Sequence, residues 1–90
     1  MKDAYLNPEW FSNHEFNLLS IEGRMFFIAM GSIVNDFELV YYSSVLFHCI
    51  LGGFKKSKDD LLQELSDFGM IAIYEVGNQK DKLIIRKTIH

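Results

Sequence analysis

Cysteine is almost missing from this chain: Cys49 stands alone among 90 residues. One thiol cannot close an internal disulfide, whereas secreted mini-proteins of this size usually carry an even set. The expectation is an intracellular chain. Proline is equally scarce, Pro8 being the only one, and six glycines complete a short inventory of breakers. No stretch has the composition of a linker, and neither internal repeats nor low-complexity segments are found.

Long apolar runs are lacking too. The longest, "MFFIAMGSIV", is about half of what a bilayer span needs, so a buried core helix is expected rather than a membrane segment. "MKDAYLNPEWF" has no apolar stretch behind its lysine and does not read as a signal peptide. A basic excess is absent as well. Nine Lys and Arg face twelve Asp and Glu, for a net charge of −3, and nucleic-acid-binding domains are usually basic. The charge is uneven, because seven of the nine basic residues lie after Phe54.

What is present is apolar. Hydrophobic residues make up 49% and aromatics 14%, enough for one packed domain spanning 1–90. Asn7 can cap a short turn with Pro8 at its first position. Ser12 or Asn13 can cap a second turn, and Trp10, Phe11 and Phe16 are expected to anchor this segment. Ser20 reads as an N-cap for a helix from Ile21 to about Val34, with Glu22 favourably placed in its first turn. That helix is apolar nearly all round and should be central. Gly31 lowers its stability and can admit a close neighbour.

Asn35-Asp36 is a turn signal, and 37–42 is expected as one short strand. Ser43 or Ser44 caps a third helix, Val45 to Leu51, ended by Gly52-Gly53. Ser57 starts a fourth, whose stripe is Leu61, Leu62, Leu65 and Phe68, with Gly69 as its stop. "MIAIYEV" and "KLIIRKTI" are strands joined by the loop "GNQKD". This order predicts an α+β winged helix-turn-helix: a helical core, a C-terminal β-hairpin wing, and the short strand near Glu38 to Tyr41 pairing with the hairpin.

"LNPEWFSNHEFNLLSIEGRMFFIAMGSIVND" resembles the opening of winged-helix domains in phage and plasmid replication proteins. Those begin with an "I-x-P-x-F" turn and "L-S" before a helix carrying arginine and an apolar run, as in "IEGRMFFIAM". "LLQELSDFGMIAIYEV" is similar to the family's "L-x-x-L-x-x-x-G-L-I-x-x-Y-x-V", and "KLIIRKTIH" to its final strand. The resemblance spans Leu6 to His90. It implies a DNA-associated replication or regulatory module of bacterial viruses or mobile elements, acting in the bacterial cytoplasm. The chain departs from the pattern at Phe37-Glu38, where the family has glycine, and in "YYSSVLFHCILGGF", which is more apolar than the family's charged third helix. The family generally continues beyond the wing, so the chain reads as an excised domain or as a minimal protein using the wing fold alone.

Two candidate surfaces follow. The fourth helix would show Lys58, Asp59, Asp60, Gln63, Glu64 and Asp67 outward, one positive charge against four negative. Gln63 can read adenine and a carboxylate can accept from cytosine, but attraction to phosphate is missing. A solvated face, or contact with a basic protein surface, fits these residues better than major-groove reading. The basic set is Lys55, Lys56 and Lys58 around the helix start and Lys80, Lys82, Arg86 and Lys87 on the hairpin. Alternation puts Lys82 and Arg86 on one strand face. A wing can hold phosphate or a minor groove in this way, and edge-strand protection by lysine explains the pattern equally well. Tyr41 and Tyr42, beside the apolar third helix, would suit a protein contact, although a central core helix explains that run at least as well.

No zinc spacing links His14, His48 and His90 with Cys49, whose apolar helix suggests a packed thiol. Neither a phosphate loop nor an activated carboxylate pair stands out. No enzyme, metal or cofactor is therefore expected. The expected function is non-catalytic: binding double-stranded DNA in replication or transcription control. The alternative is a protein-binding winged helix, such as a phage-encoded inhibitor whose acidic helix engages a host nucleic-acid-processing protein. Dimers are common among helix-turn-helix proteins, but no dedicated dimerisation helix is visible.

Overall fold

Polar side chains set the start of most helices. The computed structural model describes residues 8–77 and 80–89. The expected cap at Asn7, the loop residues Asn78 and Gln79, and His90 lie outside them. A 3-10 turn, Pro8–Ser12, leads into α1, His14–Leu18, whose N-cap Asn13 accepts a hydrogen bond from the Phe16 amide. α2 is Ile21–Met30, capped by Ser20, whose hydroxyl accepts from the Gly23 amide. The Arg24 guanidinium donates to the Asn17 and Leu19 carbonyls and so satisfies the end of α1.

α2 is shorter than expected. From Gly31 the amides bond three residues back, Gly31 to Ile28, Ser32 to Ala29 and Ile33 to Met30, which tightens the chain into turns. The strand expected at 37–42 shrinks to β1, Leu39–Tyr41, because Glu38 takes a φ of 62° and breaks the extended run. α3 is Leu46–Leu51, with Val45 before it and no side-chain cap at that position. The Ser44 hydroxyl accepts from the Leu46 amide at 3.3 Å, whereas Ser43 is engaged elsewhere.

α4 is Lys58–Asp67, and the Ser57 hydroxyl accepts from the Asp60 amide. Its end is a Schellman motif. Met70 N–H reaches the Leu65 carbonyl and Gly69 N–H the Ser66 carbonyl, with Gly69 at φ +71°. β2, Ile71–Glu75, follows at once and pairs antiparallel with β3, Lys82–Arg86. β1 pairs antiparallel with the other side of β3, giving the sheet order β1-β3-β2. The fold is thus α+β, with helices packed on a three-stranded antiparallel sheet.

The core lies between the helices and one sheet face. Phe26, Phe27 and Met30 of α2 are fully buried with Phe16, Phe47, Leu61, Leu65 and Ile84. Trp10 meets the edge of Phe27 at 5.4 Å, and Phe26 stacks on Phe47 at 6.2 Å. α2 is therefore central, as its composition predicted, although Ile21 and Met25 point to solvent. α3 is not central: only Phe47 is buried, and His48 and Cys49 are exposed.

Candidate functional site

α4 turns Leu61, Leu62 and Leu65 inward, so its opposite side is fixed by helical spacing. Asp59, Asp60, Gln63 and Asp67 are exposed there, and the Gln63 amide donates to Asp67 at 2.8 Å. This part of the expected acidic face is in place. Glu64 is not part of it. It lies three residues after Leu61 and one before Leu65, on the flank of the apolar stripe that meets α2. Its carboxylate accepts from the Ser20 amide at 2.6 Å and the Ser20 hydroxyl at 2.8 Å, and Lys56 Nζ stands 3.4 Å away. Glu64 therefore joins α4 to the start of α2 instead of facing a partner. The gap that admits it is Gly23, where an added Cβ would lie 2.8 Å from the carboxylate.

Burial pushes the Glu64 carboxyl upward, but the Ser20 donors and the Lys56 ammonium outweigh this and hold it below the usual glutamate range. A carboxyl whose folded-state value is depressed adds stability above its unfolded value, and that stability is lost as pH falls through the folded value. Acid unfolding followed by circular dichroism should thus show a stability loss starting near the ordinary glutamate value of about 4.3 and continuing below it. Glu64→Gln should reduce that loss. An unchanged pH dependence in Glu64→Gln would show that this contact does not contribute.

The basic set separates into four groups. Arg86 is buried at 6% exposure, with Nε donating to Glu38 Oε2 at 2.8 Å and Nη1 to the Phe27 carbonyl at 3.1 Å. Alternation correctly places it on the face of Lys82, but that face also carries buried Ile84 and turns toward the helices. Only Lys82, at the strand start, escapes to solvent. Arg86 is therefore lost to any phosphate contact. The Glu38 partner was not expected from sequence, since no local spacing links positions 48 residues apart.

Lys58 and Lys82 gather on Tyr42. Lys58 Nζ sits 3.7 Å from the Tyr42 ring centroid and donates to the Tyr42 carbonyl at 2.8 Å, while Lys82 Nζ lies 5.4 Å from the same ring. The Tyr42 hydroxyl donates to Asp59, and this bond, with a little burial and the Asp59 charge, raises the phenol above its usual value. Beside them, the Ser43 hydroxyl donates to Asp81 at 2.6 Å and helps hold that carboxyl below its usual range. Tyr42, Asp59, Leu62, Gln63, Ile73 and Lys82 line a shallow groove of about 280 Å³ between α4 and the sheet. Lys56 leans on Glu64 across solvent. The side chains of Lys55, Lys80 and Lys87 are exposed and carry no partner among the described residues.

Tyr41 and Tyr42 do not form one surface. Successive strand residues point to opposite faces, so Tyr42 joins the α4 groove and Tyr41 stands on the outer sheet face. Register places Tyr41, Leu83 and Tyr74 in one row and Leu39, Ile85 and Ala72 in the next. All six outward positions are uncharged, whereas a solvated sheet face normally alternates to polar residues. Sequence alternation around β3 carried this signal.

Among the described residues no three His, Cys, Asp or Glu side chains are grouped to hold a metal ion. No described helix is long and apolar enough to cross a membrane. No protein-family model matches the chain, and no curated protein or solved structure matches it either.

Proposed function

We propose that this chain is a small non-catalytic winged-helix protein that binds a basic protein surface through the outward face of α4. The observation that carries the reading is the state of the charges at that helix. Asp59, Asp60 and Asp67 are exposed, Asp59 and Asp67 accepting only from the uncharged Tyr42 hydroxyl and Gln63 amide, while Lys58, the one cation on the same helix, is drawn back onto Tyr42. Such a face repels phosphate and attracts lysine and arginine on a partner. The winged-helix assignment is supported by the element order, by the β1-β3-β2 strand order and by the resemblance to phage and plasmid replication domains. In that setting the partner is a host or replication protein whose basic groove handles nucleic acid.

Direct DNA binding is the second reading. It is favoured by Lys55, Lys80 and Lys87, which are exposed at the turn before α4 and around the hairpin and whose side chains have no partner among the described residues. Two measurements decide between the readings. Replacing Asp59, Asp60 and Asp67 together by asparagine should abolish capture of a basic nucleic-acid-processing protein that the unmodified chain retains at low salt. A partner held equally well by the variant removes the acidic-face reading. Titration of generic duplex DNA should show no saturable binding at ~50 mM salt. A steep salt-dependent affinity there, weakened by Lys80→Ala and Lys87→Ala, would establish DNA contact instead.

A further inference from the structure

The two edges of the sheet are treated differently. At β1 the Tyr42 and Arg86 amides bond across to Lys82 and Glu38, so Leu39 and Tyr41 turn their backbone groups outward. Those groups are largely closed off. Asn35 N–H donates to the Leu39 carbonyl, Leu39 N–H donates to Asn35 Oδ1, and Ser44 N–H donates to the Tyr41 carbonyl. Asn35 thus stands where a further strand would add.

β2 has no such protection. Lys87 N–H donates to the Met70 carbonyl, which sets the hydrogen-bonded positions of β2 at Met70, Ala72 and Tyr74. The N–H and C=O groups of Ile73 and Glu75 therefore point away from β3. They meet no partner among the described residues. The strand "IAIYE" contains no lysine, proline or glycine, the usual edge defences. Its end is exposed, Ile73 at 37% and Tyr74 at 55%.

We infer that β2 pairs with β2 of a second copy of this chain, antiparallel about a two-fold axis at Tyr74. In that register Ile73 exchanges backbone hydrogen bonds with Glu75 of the partner subunit. Tyr74 meets its own symmetry mate in the close, non-hydrogen-bonded position on the outer face. The apolar row Tyr41–Leu83–Tyr74 then runs unbroken across the axis. Glu75 is flanked on its own sheet by Lys82, which offsets the approach of the two carboxylates. Because the β1 edge is closed, pairing stops at two copies and does not continue into a fibre.

The edge is complementary to itself in this register, because its outward residues Ile73 and Glu75 are each the other's hydrogen-bond partner across the axis. The contact is short, a five-residue edge of about 17 Å. A contact this short makes the dimer weak and concentration-dependent.

Sedimentation velocity from about 1 µM to 1 mM, a span that covers weak interfaces, tests the pairing on the unmodified chain. A monomer–dimer equilibrium is expected, with no larger species. Tyr74→Lys sets two ammonium groups against each other at the axis and should weaken the dimer at least about tenfold while the monomer stays folded. Ile73→Pro removes an outward N–H that the monomer does not use and should act in the same direction. Hydrogen exchange gives a readout that needs no variant: the Ile73 and Glu75 amides should become protected as concentration rises. A chain that stays monomeric across the range, or a folded Tyr74→Lys that dimerises equally well, overturns the inference. Protection of those amides only after a different protein is added assigns the edge to a foreign strand and also overturns it.

Discussion

Arg86→Ala is expected to lower stability by about 3–5 kcal/mol, the range for removing one partner of a buried ion pair. The Glu38 side chain would lose its guanidinium in a site where the residue is 8% exposed, and the Phe27 carbonyl would lose a donor. For a domain of this length each kcal/mol moves the melting temperature by about 4–8 °C, so a fall well above 10 °C is predicted. Arg86→Lys should not restore the wild-type value. A lysine cannot reproduce the planar fork that meets Glu38 and Phe27 together or lie against the Trp10 and Phe27 rings at 5.3 and 5.0 Å.

Removing both charges, Glu38→Gly with Arg86→Met, should recover most of the loss. It leaves no buried ion, and glycine suits the φ of 62° at position 38. Thermal and urea unfolding measure all three variants. A loss of less than about 1 kcal/mol for Arg86→Ala would mean that the arginine behaves as a surface residue after all.

Glu64→Ala should cost about 1.5–3 kcal/mol, because the Ser20 amide and hydroxyl lose a charged acceptor at a half-buried helix junction. The informative partner is Gly23. On its own, Gly23→Ala places a Cβ 2.8 Å from the Glu64 carboxylate and should destabilise, even though alanine favours helix by about 1 kcal/mol. Once Glu64 is alanine, that obstacle is gone. Gly23→Ala should then stabilise by up to about 1 kcal/mol, a change of sign that a double-mutant cycle reads directly. If Gly23→Ala has the same effect in both backgrounds, the two residues do not interact through this contact.

Much of the backbone plan was legible. Ser20 and Ser57 as caps, Gly69 as a helix stop, and the apolar stripe of α4 follow from local rules that act within one turn. Boundaries were less so. Gly31 weakens the helix but does not by itself fix the passage from α-helical to three-residue bonding after Met30, and the positive φ of Glu38 contradicts the preference of its side chain.

The surfaces were legible only in part. Asp59, Asp60, Gln63 and Asp67 face solvent because helical period and the leucine stripe leave them no other side. Glu64 and Arg86 have the composition of surface residues, yet Glu64 is half-buried and Arg86 buried. Each occupies a space opened by a glycine of the α2 segment: Gly23 beside the Glu64 carboxylate, and Gly31, where an added Cβ would lie 2.8 Å from Arg86 Nη1. The sequence hinted that Gly31 admits a close neighbour, but it could not say which one.

By itself, then, the sequence determined what local physics determines: where helices start and stop, which stripe of α4 is apolar, and that the charge on its outward face is negative. Tertiary structure alone decided which charges remain free. Arg86 pairs with Glu38 across 48 positions, Glu64 with Ser20 across 44, and Lys58 withdraws onto the ring of Tyr42. A charged side chain is available to a partner only if the fold has not already given it one, and that depends on contacts between distant residues.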